Sequence, residues 1–545
     1  MTRGANRAVV VLGAVAVLRA GASAAAQDAF PQGVASGDVT ATRAVCWTRT
    51  TSAGSVRLEI SPAADPQGVM MSLDFIADSA ADYTVKADVS GLAANTRYTY
   101  RFTRLDTQAV SPAGQFRTAP ADDQTVAFRF VYSGDSNAER RPFHLLDAAR
   151  DESPDFWIYA GDTIYGDFPA DGLGEVTDLA GYRAKYRQNR EDAALRGLLS
   201  ASACVAQWDD HEIANDYDGG DPEPGITAER IAAGYQAFFE FMPIRDQAVA
   251  GDARRVYRSF RHGALAEFFV LDCRQYRSAD AVRNGGPFDP YGYFIPPRDD
   301  AVVAQIEDGS RTMLGAEQAA WLRDGLLHST ATWKFVCSSM PLTSLLLYPY
   351  DRWDGYEAER RALLQFIDDH AIGGVVFLSA DIHGNLFNPD VAAFSRNVLH
   401  RPLSAGLHVP EFVAGPIGMA TFRQEALSAF APVLGLEPDG ALGLLLADAA
   451  LGIATARVTA LNGLRYVELD RYSYLVMEVS ADGLTGVYRG IPAYPVGATA
   501  AAIELHREFL PPPGAPMCGV VSPLLLALSA AVVRPRRRRA SRSAG

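Results

Sequence analysis

Of the 545 residues, 48% are hydrophobic and 21% charged, ordinary proportions for a globular chain with room for a large core and two domains. The formal net charge is −14; residues 1–26 and those after Cys518 hold nine arginines and no acid, which leaves a body of 41 basic and 64 acidic residues, net −23. Gripping a nucleic-acid backbone requires clustered Lys and Arg, so this balance argues against it and directs attention to small ligands and cations.

In chain order, the first segment carries Arg3 and Arg7, an apolar run over residues 8–18 and then small residues. This is the layout of a signal peptide cleaved near Ala26, and it predicts an exported protein (periplasm, cell surface or extracellular). Residues 30–118 read as all-β: "AVCWTRT", "VRLEISP", "YTVKADVSGL" and "TRYTYRFTRL" are separated by Gly, Pro, Asn and Asp, the spacing of a sandwich of about 90 residues. "GLAANTRYTYRF" resembles a corner of a fibronectin-type-III sandwich, and "TAPADDQT" reads as a linker.

From Val126 onward strands alternate with helices. "VAFRFVYS", "DFWIYAGD", "CVAQWDD", "LAEFFVLDCRQYR", "WKFVCSSMP" and "GGVVFLSAD" are strands; residues 139–150 and 179–200 and "ERRALLQFIDDH" are helical. That alternation indicates an α/β layered domain. No internal apolar run reaches the roughly 20 residues that cross a bilayer. The chain ends in a Pro-rich stalk, Cys518-Gly519, a short apolar run and an Arg cluster. This layout resembles bacterial C-terminal sorting signals, with the Arg cluster on the cytoplasmic side; a simple tail anchor is the alternative. Cys46, Cys204, Cys273 and Cys337 are far apart and form no CxxC pair, so buried free thiols are expected rather than a disulfide framework.

Four apolar strands end in acids. "FVYSGDSN" ends at Asp135 with Asn137, and "WIYAGDTIYGD" at Asp162 with Tyr165. "CVAQWDDHEIAND" ends at Asp209, Asp210 and His211 with Asn215 beyond, and "VVFLSADIHGN" at Asp381 with His383 and Asn385. Loops at strand C-terminal ends converge on one edge of an α/β sheet. Carboxylates gathered there repel unless a cation offsets them, and this donor set suits Ca, Mn, Fe or Zn. Taken singly, each stretch also fits a turn or a helix N-cap; four in one domain point to a metal site.

With "FPQGVASGDVTATRAVCWTRT", "AGDTIY", "WDDHE", "FFVLDCRQYR", "LGAEQAAWL" and "SADIHGN" in this order, the chain resembles the PhoD-type alkaline phosphatases and phosphodiesterases, a branch of the calcineurin-like metallophosphoesterases. The resemblance implies a four-layer αββα metallophosphatase domain over residues 125–510. An all-β fibronectin-III-like sandwich over 30–118 precedes it, and residues 511–545 form the stalk and anchoring tail. It implies two or more metal ions, with Ca and Fe suggested by the family and Mn or Zn as alternatives. Asp162 takes the position of a bridging carboxylate and Tyr165 that of a phenolate ligand. Asp381, His383 and Asn215 also fall on ligand positions. The family's usual Cys at the first strand end is missing from "VYSGDSN", so Asp135 is the expected ligand there.

Phosphoester hydrolysis follows from this chemistry: cations neutralise the phosphate and activate water for in-line attack. His211 is the candidate proton donor to the leaving oxygen, with Asp210 orienting it; the alternative for His211 is to hold a ligand carboxylate. Arg258 and Arg274, with Asn137 and Asn385, are candidate substrate contacts, because guanidinium matches phosphate geometry; the favoured alternative for each arginine is a structural ion pair in this acidic chain. Asp209 and Asp210 read as supports rather than ligands, and Cys273 as core. The substrates expected are small phosphomonoesters or phosphodiesters. The competing reading is a non-catalytic, Ca-binding surface protein with a fibronectin-like module.

Overall fold

A computed structural model describes residues 29–219, 225–281, 304–345, 351–397, 399–433, 440–492 and 501–514. The expected signal peptide and the tail with Cys518 lie outside the described residues. The fold is mixed α/β. Its largest sheet runs, edge to edge, through Ile503–Leu510, Gly483–Pro492, Arg471–Ser480, Phe128–Ser136, Phe156–Ala160, Ala203–Gln207, Val34–Gly37, Arg43–Arg49 and Thr84–Ser90. A second sheet runs through Arg258–His262, Ala266–Val270, Trp333–Cys337, Val375–Ser379, Glu411–Val413, Asn385–Asn388 and Tyr466–Glu468.

These two sheets face each other across an apolar layer, because their strands alternate. Phe128, Phe130 and Tyr132 point into the layer and Val131 points away from it. Phe130 meets Phe268 and Phe335 of the second sheet edge-on, with ring centroids 5.2 and 5.4 Å apart. Edge-to-face pairs at such spacing add about 0.5–1.5 kcal/mol each beyond area burial. The outer face of the first sheet is covered by the helices His144–Asp151, Leu179–Asn189, Ala193–Ala201 and Ala228–Phe241, and that of the second by Gly315–His328 and Glu357–Asp369. The stretch expected to be helical over 179–200 forms two helices, because Asp192 caps a new start by accepting from the Leu195 amide.

Seven strands between residues 34 and 117 divide into two sets. Gly54–Pro62, Met71–Ala77, Arg97–Arg104 and Gly114–Arg117 form their own sheet. The other three continue the large sheet: Val34–Gly37 pairs in parallel with Ala203–Gln207, with Gly37 opposite Cys204. A Cβ at Gly37 would lie 2.3 Å from the Cys204 carbonyl oxygen, so only glycine permits this seam.

Cys46, Cys204, Cys273 and Cys337 are buried free thiols, as expected. One expectation is overturned. The helix Ala441–Asn462 contains a stretch, Leu444–Asn462, long and apolar enough by length and composition to cross a membrane. Asp448 and Arg457 interrupt its apolar run, which is why a search for an uncharged run passes over it.

Candidate metal centre and active site

Phe128–Ser136, Phe156–Ala160 and Ala203–Gln207 are parallel neighbours, so their C-terminal ends share one edge. Ala266–Val270, Trp333–Cys337, Val375–Ser379 and Glu411–Val413 are likewise parallel. Hydrogen bonds tie the two edges together. The Tyr132 hydroxyl donates to the Ser338 and Leu378 carbonyls at 3.2 and 3.1 Å, and the Gln207 amide donates to the Cys337 carbonyl at 2.8 Å.

Past these ends the backbone turns sharply. Asp135, Asp162, Asp381 and His383 have φ of 58°, 49°, 68° and 51°. Left-handed non-glycine residues cost on the order of 1 kcal/mol and concentrate at functional sites. Asp162 follows Gly161, itself at φ 96°, where a Cβ would lie 2.7 Å from that of Asp209. Backbone strain and tight packing together hold the carboxylates inward.

Three overlapping groups result. Asp135, Asp162 and His383 each offer a ligand atom within 4.8 Å of the others, as do Asp162, Asp210 and His211, and Asp209, Asp210 and Asp381. Asp162 and Asp210 are the shared members. Asp135 Oδ2 and Asp162 Oδ1 are buried and receive no hydrogen bond. Buried polar atoms are nearly always satisfied, and carboxylate oxygens with an imidazole are a donor set for a hard or borderline cation. The residues present therefore fit a metal. Tyr165 borders the same place: its hydroxyl is 3.3 Å from His383 Nε2, and its ring lies 4.3 Å from that of His211.

The electrostatics agree with the geometry. Burial pushes the Asp135 carboxyl up to about 7, with His383 only partly opposing. Burial and the neighbouring acids also raise Asp162 and Asp381 well above the usual range. Burial alone would lower the His383 pKa, but Glu425 and Asp135 outweigh it and bring it to about 9. At His211 burial is again outweighed, here by Asp167, Asp162 and Asp210, and its pKa is raised. Burial of Asp167 is overcome by His211, which holds that carboxyl near 2.

Several sequence expectations need correction. Asp210 does not orient the His211 ring. His211 Nδ1 bonds Asp167 at 2.6 Å, while Asp210 accepts the backbone amides of His211 and Asp216. Asp167 outcompetes it because a side chain one residue away is occupied capping the turn. Asp210, read as a support, belongs to two of the three metal-compatible groups. Asn215 is exposed, and its backbone amide donates to Asp167.

Arg274 is fully buried; it grips both oxygens of Asp209 at 2.5 and 3.0 Å and reaches Asp381 at 2.9 Å. That pairing holds two acids of the site in place, while Arg274 Nη1 is buried without a hydrogen-bond partner. Arg258 is tied up by Asp38 and the Ala206 carbonyl. Asn137 caps a short turn by accepting from the Glu139 amide, and Asn385 accepts from the Gly415 amide and the Ser473 hydroxyl.

Three contributors escaped the sequence reading. Asp167 closes the quoted stretch "WIYAGDTIYGD", so a second Gly-Asp was the available signal. Asp272 shapes the turn that delivers Arg274, accepting from the Arg274 amide and the Trp208 indole. Glu425, bonded to His383 Nδ1 at 2.7 Å, comes from the distant helix Phe422–Val433, and no motif marks it.

Comparison with known proteins places this architecture. The family model for PhoD-like phosphatase matches residues 129–486, and that for the PhoD-like phosphatase N-terminal domain matches 16–120. The chain is 30% identical over 391 residues to alkaline phosphatase D of Bacillus subtilis (strain 168), an alignment covering 65% of this chain and 64% of that relative. A solved structure of PhoD superposes with a TM-score of 0.74 at 25% identity, covering 89% of this chain and 91% of that one. Purple acid phosphatase PPD1 from yellow lupin (Lupinus luteus) shares the fold, with a TM-score of 0.51 at 12% identity, covering 88% of this chain and 75% of that one. By the extent of the match and the order of its acid-tipped strands, this chain belongs to the PhoD-like phosphatase family.

Proposed function

We propose that this chain is an exported, metal-dependent phosphoesterase acting on small phosphomonoesters, phosphodiesters or both. One observation carries the reading: two buried carboxylate oxygens without donors sit where three metal-compatible groups share Asp162 and Asp210. Asp135, Asp162, Tyr165 and His383 would hold one ion, and Asp210, grouped with Asp162 on one side and with Asp381 on the other, would help hold a second. Ca and Fe are the ions suggested by the family, with Mn or Zn as alternatives. When bound, such ions neutralise a phosphoester and lower the pKa of water so that it attacks in line.

The chain's own residues supply the rest. His211 Nε2 faces the cluster, 4.0 Å from Asp162 Oδ2, where it can give a proton to the leaving oxygen. Asp167 on Nδ1 fixes its ring and stabilises its charged form. Glu425 does the same for His383. Arg274 holds Asp209 and Asp381 at the edge of the site.

The division of residues 34–117 into three- and four-stranded sets supports reading 30–118 as a fibronectin-III-like sandwich preceding a catalytic domain over 125–510. Residues 1–26 and 511–545 would serve export and surface attachment. The test is to purify the full chain, count its metals, and assay p-nitrophenyl phosphate against bis-p-nitrophenyl phosphate with and without chelator. Turnover of either ester that chelation abolishes is expected. Metal-replete protein that hydrolyses neither would instead support the non-catalytic, cation-binding alternative.

A further inference from the structure

An ester seated among the acidic strand tips carries non-bridging oxygens that gain from a positive side chain, and guanidinium is the one whose donors match them. The arginines along this edge differ in what their donors already do. Arg258 is spent on Asp38 and on the Val256 and Ala206 carbonyls. Arg277 donates to the Asp351 and Asp216 carbonyls, and Arg274 to Asp209 and Asp381.

Arg352 is different. Its Nη1 lies 3.2 Å from Asp351 Oδ1 and 3.6 Å from Asp381 Oδ2. Among the described residues its side chain makes these ion pairs but no hydrogen bond, and its Nε is buried without a partner. The Arg352 side chain is 17% exposed, against 0% for Arg274 and Arg277. It therefore borders the acidic edge at a place that solvent reaches, beside Asp381 of the group formed with Asp209 and Asp210.

The fold fixes this position. Arg352 precedes the turn Trp353–Tyr356, whose Gly355 amide donates to the Arg352 carbonyl at 2.8 Å. Trp353 is buried, and its indole donates at 3.1 Å to Ser338 Oγ, just past the end of Trp333–Cys337. Burial alone would lower the Arg352 pKa, but Asp351, Asp381, Asp354 and Asp216 outweigh it and keep the group charged.

We propose that Arg352 binds the substrate phosphate, its uncommitted donors meeting non-bridging oxygens of an ester seated at the Asp209–Asp210–Asp381 group. This rests on the phosphoesterase reading above. Asp351 is then a positioning residue that orients the guanidinium. The role expected of Arg258 or Arg274 falls to an arginine that stands in none of the motifs marking the site in the sequence.

The test uses full-length, metal-replete protein, p-nitrophenyl phosphate as substrate and inorganic phosphate as competing ligand. A hydrogen bond to a charged group is worth roughly 10- to 150-fold. Arg352→Gln should therefore lower kcat/KM at least about tenfold and raise the inhibition constant of inorganic phosphate by a similar factor, with bound metal unchanged by elemental analysis. Arg352→Lys, which keeps the charge and loses the fork, should fall between that variant and the unmodified protein. An unmodified phosphate constant in both variants overturns the proposal. Loss of bound metal in both also overturns it, since Arg352 would then be a support for Asp381; loss in Arg352→Gln alone leaves Arg352→Lys to decide by the same constant. Unmodified protein that hydrolyses neither p-nitrophenyl phosphate nor its bis ester sinks the phosphoesterase reading itself, whereas active protein whose variants keep the phosphate constant sinks this proposal alone.

Discussion

The Asp135–Asp162–His383 corner and the Asp209–Asp210–Asp381 corner are both crowded with buried acids, but they manage their charge differently. In the second, Arg274 lies with no solvent exposure against both oxygens of Asp209 and one of Asp381, and within 3.5 Å of Asp210. In the first, Asp135 Oδ2 and Asp162 Oδ1 meet no donor. An internal guanidinium offsets part of the acidic charge at one corner, while the other has no internal cation of that kind against its two unpaired oxygens. The difference teaches that an acidic cluster is not uniform: part of its charge is offset from within the fold, and two of its carboxylate oxygens meet no donor at all.

The sharpest way to break this contrast is Asp162→Asn, at the residue shared between two groups. Bound cations supply several kcal/mol of charge stabilisation, and about 1.4 kcal/mol is a factor of ten. Turnover should fall by roughly 10³-fold with loss of bound metal by elemental analysis; a fully active variant would sink the assignment. Arg274→Met acts on the second corner. Removing one partner of a buried ion pair costs about 3–5 kcal/mol, so denaturant unfolding should show a loss of that size even in metal-free protein. Equal stability would mean that Arg274 does not hold the acids.

His211→Gln should lower kcat by roughly 10²–10⁴-fold with metal content unchanged, the range for a positioned acid. Asp167→Asn should give a smaller loss, about 10- to 100-fold, as an orienting partner does. If the histidine variant loses metal instead, His211 is a ligand.

The first corner should also show a pH dependence in the absence of metal. Asp135 binds its proton up to about pH 7 in the fold but only to about 3.9 when unfolded. Between those values the folded state holds more protons, so metal-free protein should lose stability as pH rises from 4 to 7, by at most about 4 kcal/mol. Asp135→Asn should flatten that slope in thermal unfolding followed across the same window.

Much of this site was legible because its chemistry is carried on strand tips. Asp135, Asp162, Asp210 and Asp381 each follow an apolar run, and the sheet brings such tips together whatever their separation in sequence. Pairing was not legible. Asp210 precedes His211 directly, yet the ring turns to Asp167, 44 residues earlier, because bonding across the loop is decided by the turn and not by adjacency. The same holds for Arg274: an ion pair is expected in so acidic a chain, but its partner Asp209, 65 residues away, is named only by the fold. The helix Ala441–Asn462 was missed altogether, since an apolar helix with two scattered charges has neither the clean run nor the amphipathic period that reveals one.

The seam between Val34–Gly37 and Ala203–Gln207 carries a further consequence. A chain beginning at residue 125 would keep every acidic strand tip, yet it would strip the neighbour from Ala203–Gln207, a strand buried on both faces. Its open backbone would offer a template for pairing with other molecules. Trimming the protein at the sequence linker should therefore yield aggregates rather than a smaller enzyme, and the first strands of the chain act as a guard on its most vulnerable edge.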